Sequence, residues 1–201
     1  AAVRHAAAAG FDTHAWQLAW AVSDFLFRCG HWHDWRTANS VALAAAQRGH
    51  DRRAEAVTRR GLAMAMSNLG DHAEGEPHLR TALILFEQLD DHIGRANAHL
   101  NLTALLFRRH RSADALHHCR LALDLYAAGG DRRGEAMALN TMGMLHTGIG
   151  NRREALVCCR RAATIFAEVS DRSGLASTWD SLGNIHHQQF DYHHATRYYQ
   201  R

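Results

Sequence analysis

A hexapeptide returns along the chain every forty residues. It reads 51-DRRAEA-56, 91-DHIGRA-96, 131-DRRGEA-136 and 171-DRSGLA-176, so Asp51, Asp91, Asp131 and Asp171 share one phase. A fixed period of this length means that one supersecondary unit is copied in tandem. Such a unit is too small to bury its own apolar face, so successive units must stack and share a core.

The forty-residue register aligns small residues as well. Ser23, Ala63, Thr103, Gly143 and Gly183 fall together, as do Gly75, Ala115, Ala155 and Ala195, and Ala42, Ala82, Ala122 and Ala162. Small residues in register let one helix backbone approach another, and enlarging them would overpack the contact. Within a unit the apolar residues recur at three and four, as in Leu139, Met142, His146 and Ile149, then Ala155, Cys159, Ala162 and Phe166. That is the period of amphipathic helices, two per unit. The stretch 148-GIGNRRE-154 ends one helix with glycine and offers Asn151 and Glu154 to cap the next; 71-DHAE-74 repeats the device, and 129-GGDRRGEA-136 starts a helix at Asp131. Helices are expected near 14–29, 34–48, 52–69, 73–88, 92–109, 112–128, 132–148, 152–168 and 172–188, with another from about 192. A single proline, Pro77, and an abundance of Ala, Leu, Arg and Glu agree with an all-α chain.

The apolar runs, such as 18-LAWAV-22 and 82-ALILF-86, fall far short of the roughly 20 residues of a membrane span, so a cytoplasmic protein is expected. Cys29, Cys119, Cys158 and Cys159 show no CxxC spacing and read as reduced thiols. The net charge of +3 is dispersed among acids, as in 152-RREALVCCRR-161, which argues against a nucleic-acid face. No catalytic or phosphate-binding motif occurs, and a non-enzymatic protein without cofactor is expected. The pairs His117-His118, His186-His187 and His193-His194 raise a metal reading, in which imidazoles meet around zinc or nickel. Adjacent histidines on a helix point about 100° apart, however, and His186 holds a packing position. No metal site is therefore expected.

Trp179, Leu182, Gly183, His186, Ala195 and Tyr199 resemble the tetratricopeptide pattern, and Leu139, Met142, Gly143, His146, Ala155, Cys159 and Ala162 repeat it. The pattern is thinnest in the first unit, where Trp35 replaces a small residue. The resemblance implies a right-handed α-solenoid of about five antiparallel helix pairs. It would be a single domain over 1–201, with units at 11–50, 51–90, 91–130, 131–170 and 171–201, and residues 1–10 the tail of a preceding helix. The forty-residue period, joints of the GDRxGEA kind as at 130–136, and the exclusive use of Arg over Lys narrow the likeness further. They resemble the C-terminal repeat region of actinobacterial transcriptional regulators of the antibiotic regulatory protein type, which join a winged helix, a nucleotide-binding switch domain and a tetratricopeptide array. A fragment of a larger protein is expected, whose cut ends would associate end to end.

The resemblance places the first helix of each pair on a concave, ligand-binding face. The matching positions are Trp20, Asp24 and Phe27 with Gln17; Arg60 and Met64 with Val57 and Ser67; and Asn97, Leu100 and Phe107 with Ala104. They continue with Asn140 and Met144 beside Met137 and Thr147, then Asp180, Asn184 and His187 beside Ser177. Amides can pair with a peptide backbone, Met and Phe can accommodate varied side chains, and Arg60 can hold a carboxylate. The expected partner is a protein, a peptide or a small effector, or another domain of the same regulator, sensed by this arm. The alternative is a free-standing scaffold or peptide-pheromone receptor.

Overall fold

The computed structural model describes residues 1–201, which form twelve α-helices and no strand. Two compact units are present, Ala1–Arg109 and His110–Arg201. The first holds α1 (Ala2–Ala8), α2 (Asp12–Ala21), α3 (Ser23–Arg28), α4 (Trp32–Arg48), α5 (Arg52–Leu69), α6 (His72–Gln88) and α7 (His92–Arg108). There α4, α5, α6 and α7 pack in chain order, α1 and α2 lie against α4, and α5 also touches both α2 and α7. The second holds α8 (Ser112–Ala128), α9 (Arg132–Gly148), α10 (Arg152–Glu168), α11 (Arg172–His187) and α12 (Tyr192–Tyr199), again packed in order, with α9 touching α11. Each unit is a stack of helix pairs in which the first helices of successive pairs are direct neighbours.

The repeated aspartate makes the joint between pairs. The backbone N–H of Asp91 donates to Phe86 O (2.9 Å), that of Asp131 to Tyr126 O (3.0 Å) and that of Asp171 to Phe166 O (2.9 Å), which closes the outgoing helix as a Schellman turn. The same residue opens the next helix. Its Oδ1 accepts from the N–H three residues on: Ala54 for Asp51, Gly94 for Asp91, Gly134 for Asp131 and Gly174 for Asp171, at 2.7–2.9 Å. The remaining oxygen of Asp91 takes Arg53 (2.7 Å) and that of Asp171 takes Arg133 (2.6 Å). The Gly174 N–H and the Arg133 guanidinium together hold the Asp171 carboxyl below its ordinary 3.8.

Closing a helix this way needs one residue in the left-handed region. It falls at every twentieth position, on Gly10, Gly30, Gly70, Gly130 and Gly150, but also on His50, Asp90, His110, Ser170 and Phe190. Half of these turns thus accept a side chain where glycine carries no steric penalty.

The glycine of the hexapeptide has a separate reason. A Cβ built on Gly94, Gly134 or Gly174 would enter the ring of Phe86, Tyr126 or Phe166 respectively, each ring sitting eight residues upstream. The missing Cβ is the seat of a buried aromatic, and each such ring contributes about 1.5–3 kcal/mol through burial. In the first repeat both partners are buried alanines, Ala46 and Ala54. Phe86 sits among Ala56, Ala82 and Ala98, and Phe166 among Ala136, Leu139, Ala162 and Ile165. The small residues meet as expected: a Cβ on Gly75 would lie 3.1 Å from Ala63 O, and one on Gly143 would lie 3.2 Å from Ala155 O and against Cys159 Sγ.

Two local expectations are corrected. The helix expected over 14–29 is broken at Val22 into α2 and α3. Ser23 Oγ donates back to Ala19 O (2.8 Å) and accepts from the Trp35 indole (3.0 Å), and such back-bonding bends a helix. Asn151 and Asp71 do stand at helix starts, but neither side chain bonds the first turn. The Asp71 carboxylate instead receives Arg36 at 3.3 Å.

Candidate functional site

In the first unit the expected groove residues fall on four helices. Trp20 on α2 is exposed, while Asp24 and Phe27 stand on α3, so the break at Val22 removes them from a common helix. Asp24 pairs with Arg28 (2.8 Å), and Phe27 leans on Trp35 with ring centroids 5.8 Å apart. Arg60 and Met64 on α5 and Leu100 and Phe107 on α7 are half-buried on helices in contact. Asn97 turns its amide back to Ile93 O at 2.9 Å. Ser67 is buried: its hydroxyl lies 3.3 Å from His72 Nδ1 and its carbonyl accepts Arg108. It belongs to the packing, where the sequence had suggested the groove.

The second unit brings Asn140 and Met144 on α9 beside the helix that carries Asp180, Asn184 and His187, α11. Met137, Met144, Asp180, Asn184 and His187 are exposed, and His187 sets its edge against Tyr192 at 5.6 Å. Asn140 differs from all of them. It is 9% exposed, and its Oδ1 has no hydrogen-bond partner. A buried acceptor left unpaired costs about 1–3 kcal/mol, which a ligand donor would relieve.

The two fully buried thiols offer no nucleophile. Burial pushes Cys119 and Cys159 up to about 12, and Cys119 Sγ donates to Ala138 O at 3.3 Å, so both are inert packing groups. His146 and His186 are buried, as their positions in the repeat imply. Burial also lowers the His146 pKa below 6.5, and its Nδ1 has no partner.

The histidine-rich end is arranged differently from the expectation. His186, at the close of α11, and His194, in the first turn of α12, both turn Nδ1 onto Asp191, at 3.0 Å and 2.9 Å. Their rings stack with centroids 5.2 Å apart, and Tyr198 covers the His186 ring at 5.6 Å. The hydrogen bond from His194, above all, holds the Asp191 carboxyl at about 2. His187 and His193 take no part. The sequence sets these histidines out as adjacent pairs, whereas one from each pair converges on an aspartate. The signal was present in the spacing His186, Asp191, His194, since Asp191 lies twenty residues after Asp171.

Solved structures share this architecture. BtubC (BKLC) from P. vanneervenii superposes with a TM-score of 0.72 at 18% identity, over 100% of this chain and 89% of that one. Nearly identical TPR-like repeats from Podosopora anserina give 0.70 at 12% identity, over 95% and 92%. A Rap protein complexed with competence and sporulation factor gives 0.73 at 15% identity, over 94% of this chain and 62% of that one. At these identities the likeness is one of fold. No curated protein sequence matches the chain. No helix is long and apolar enough to cross a membrane. The tetratricopeptide repeat pattern matches residues 55–128 and 134–201, stretches that hold the joints at Asp91 and Asp171, the aromatic seats and the small-residue contacts. With helix pairs, joints and pattern in agreement over most of its length, the chain belongs to the tetratricopeptide repeat family.

Proposed function

We propose that this chain is a non-catalytic recognition module that binds an extended peptide along the first helices of its pairs, with Asn140 as a polar anchor. The observation that carries the reading is the Asn140 amide, buried with an oxygen that nothing in the protein satisfies. It is flanked on the same helix by exposed Met137 and Met144, whose unbranched side chains adapt to varied partners. Asp180, Asn184 and His187 add polar groups on the adjoining helix. In the other unit Arg60, Met64, Asn97, Leu100 and Phe107 form the corresponding surface.

The setting that fits joints of the 130-GDRRGEA-136 kind is the sensor arm of a bacterial transcriptional regulator, in which occupancy by a peptide or effector shifts an attached switch domain. Such a shift requires different affinities for the resting and active states. The likeness to a Rap protein complexed with competence and sporulation factor favours a second reading, a free-standing receptor for a short signalling peptide. The two differ in whether a switch domain shares the polypeptide.

The test is selection from a displayed library of random nonapeptides, followed by affinity measurement on the purified chain. Asn140→Ala is expected to weaken the selected peptides by about 1–3 kcal/mol while its melting temperature holds or rises, because the unpaired acceptor is gone. Met144→Ala should weaken the same peptides. Selected peptides that bind both variants as they bind the native chain would move the site elsewhere.

A further inference from the structure

We propose that His186, Asp191 and His194 form a site for a divalent transition-metal cation of the zinc or nickel class, fastening the first turn of α12 to the end of α11. The three side chains offer ligand atoms that all lie within 4.8 Å of one another. A cation held at about 2.0–2.2 Å by nitrogen and oxygen ligands sets adjacent donors roughly 3–3.5 Å apart. The two imidazole-to-carboxylate separations, 3.0 Å from His186 and 2.9 Å from His194, are hydrogen-bond lengths at or just below that spacing, so these pairs need open only by a few tenths of an ångström. Only the pair of imidazole nitrogens has to close, and His194 can supply the movement: it is half-exposed and lies in the first turn of an eight-residue helix.

The arrangement is built on one side and open on the other. The His186 side chain is 6% exposed and sits between the His194 and Tyr198 rings, so its Nδ1 is aimed before any ion arrives. Asp191 is fixed as the cap of α12, its Oδ1 accepting the His194 N–H at 3.3 Å. Both Asp191 and His194 reach solvent, which gives a cation its path in. Two imidazoles and one carboxylate suit zinc and nickel, and three protein ligands leave a position for water. Binding would move each ring proton from Nδ1 to Nε2, exchange two imidazole hydrogen bonds to the carboxylate for three coordinate bonds, and thereby couple cation occupancy to the seating of α12.

The experiment titrates ZnCl₂ into the metal-free chain by calorimetry, follows CoCl₂ by its visible d–d absorption, and records melting temperature with and without ZnCl₂. His194→Ala and Asp191→Asn are compared with His117→Ala, which removes an exposed histidine from the pair His117-His118. Circular dichroism confirms that each variant keeps its helices; Asp191→Asn retains a capping side chain should His194→Ala disturb α12. One cation per chain, a Co(II) spectrum of low coordination number and a Zn(II)-dependent rise in melting temperature are expected. Affinity should fall at least about tenfold in His194→Ala and Asp191→Asn and stay unchanged in His117→Ala. Equal binding by all four proteins would reveal adventitious capture by surface histidines and overturn the site. A folded native chain that takes up no cation would overturn it as well.

Discussion

Placing a methyl group on Gly134 probes the joint between successive helix pairs. Its Cβ would lie 2.7 Å from Tyr126 Cγ and closer still to Cδ1 and Cε1, where ordinary contact begins near 3.4 Å. The ring, 1% exposed, must therefore withdraw by at least about 0.7 Å into a filled core. Overpacking of this kind costs about 1–3 kcal/mol. Alanine also favours the helix by roughly 0.5–1 kcal/mol over glycine. Against the larger packing cost, Gly134→Ala alone should destabilise the protein. Tyr126→Ala removes the obstacle at a cost of its own of about 3–5 kcal/mol. In that background Gly134→Ala should change sign and stabilise by roughly 0.5–1 kcal/mol, recreating the alanine pair that Ala46 and Ala54 form in the first repeat. The assay is urea unfolding followed by far-ultraviolet circular dichroism for the four proteins of the double-mutant cycle. If Gly134→Ala stabilises the native background, or has the same sign in both, the glycine is not the seat of the ring.

Two other perturbations test the turns and the buried histidine. Phe190 holds φ +60° with its side chain 78% exposed, so Phe190→Gly should relieve strain without loss of core and raise stability by about 1 kcal/mol; an unchanged or lower melting temperature counts against it. Burial, helped by Arg120 and opposed by Glu154, lowers the His146 pKa from its ordinary 6.5. A depressed folded pKa means that the unfolded chain binds the proton more readily, so the contribution of neutral His146 is present above pH 6.5 and is lost as pH falls through the folded value. His146→Leu should flatten the fall in melting temperature between pH 7 and pH 5 relative to the native chain, and parallel pH profiles would exclude this role.

The sequence alone determined the forty-residue period, the helix pairs, the phase of Asp51, Asp91, Asp131 and Asp171, and the small-residue contacts of Gly143 with Ala155. These are written locally: a helix start needs an acceptor next to its first free N–H groups, and a close helix contact needs a missing side chain at a fixed place in the helical period. Of the candidate groove it determined the positions and the residue types. Tertiary structure decided their condition: Ser67 withdrawn into packing, Trp20 and Phe27 parted by the kink that Trp35 and Ser23 impose, and Asn140 left with an unpaired oxygen. It also placed His110, Ser170 and Phe190 in the left-handed region, where their residue types do not announce a turn, because the packing of the two flanking helices outweighs a local strain of about 1–2 kcal/mol. The meeting of His186, Asp191 and His194 has the same origin, since their donors converge only once α12 folds back onto α11. A one-dimensional pattern records what each residue needs from its neighbours in the chain, whereas the partner of a buried polar atom is set by which helices the core brings together.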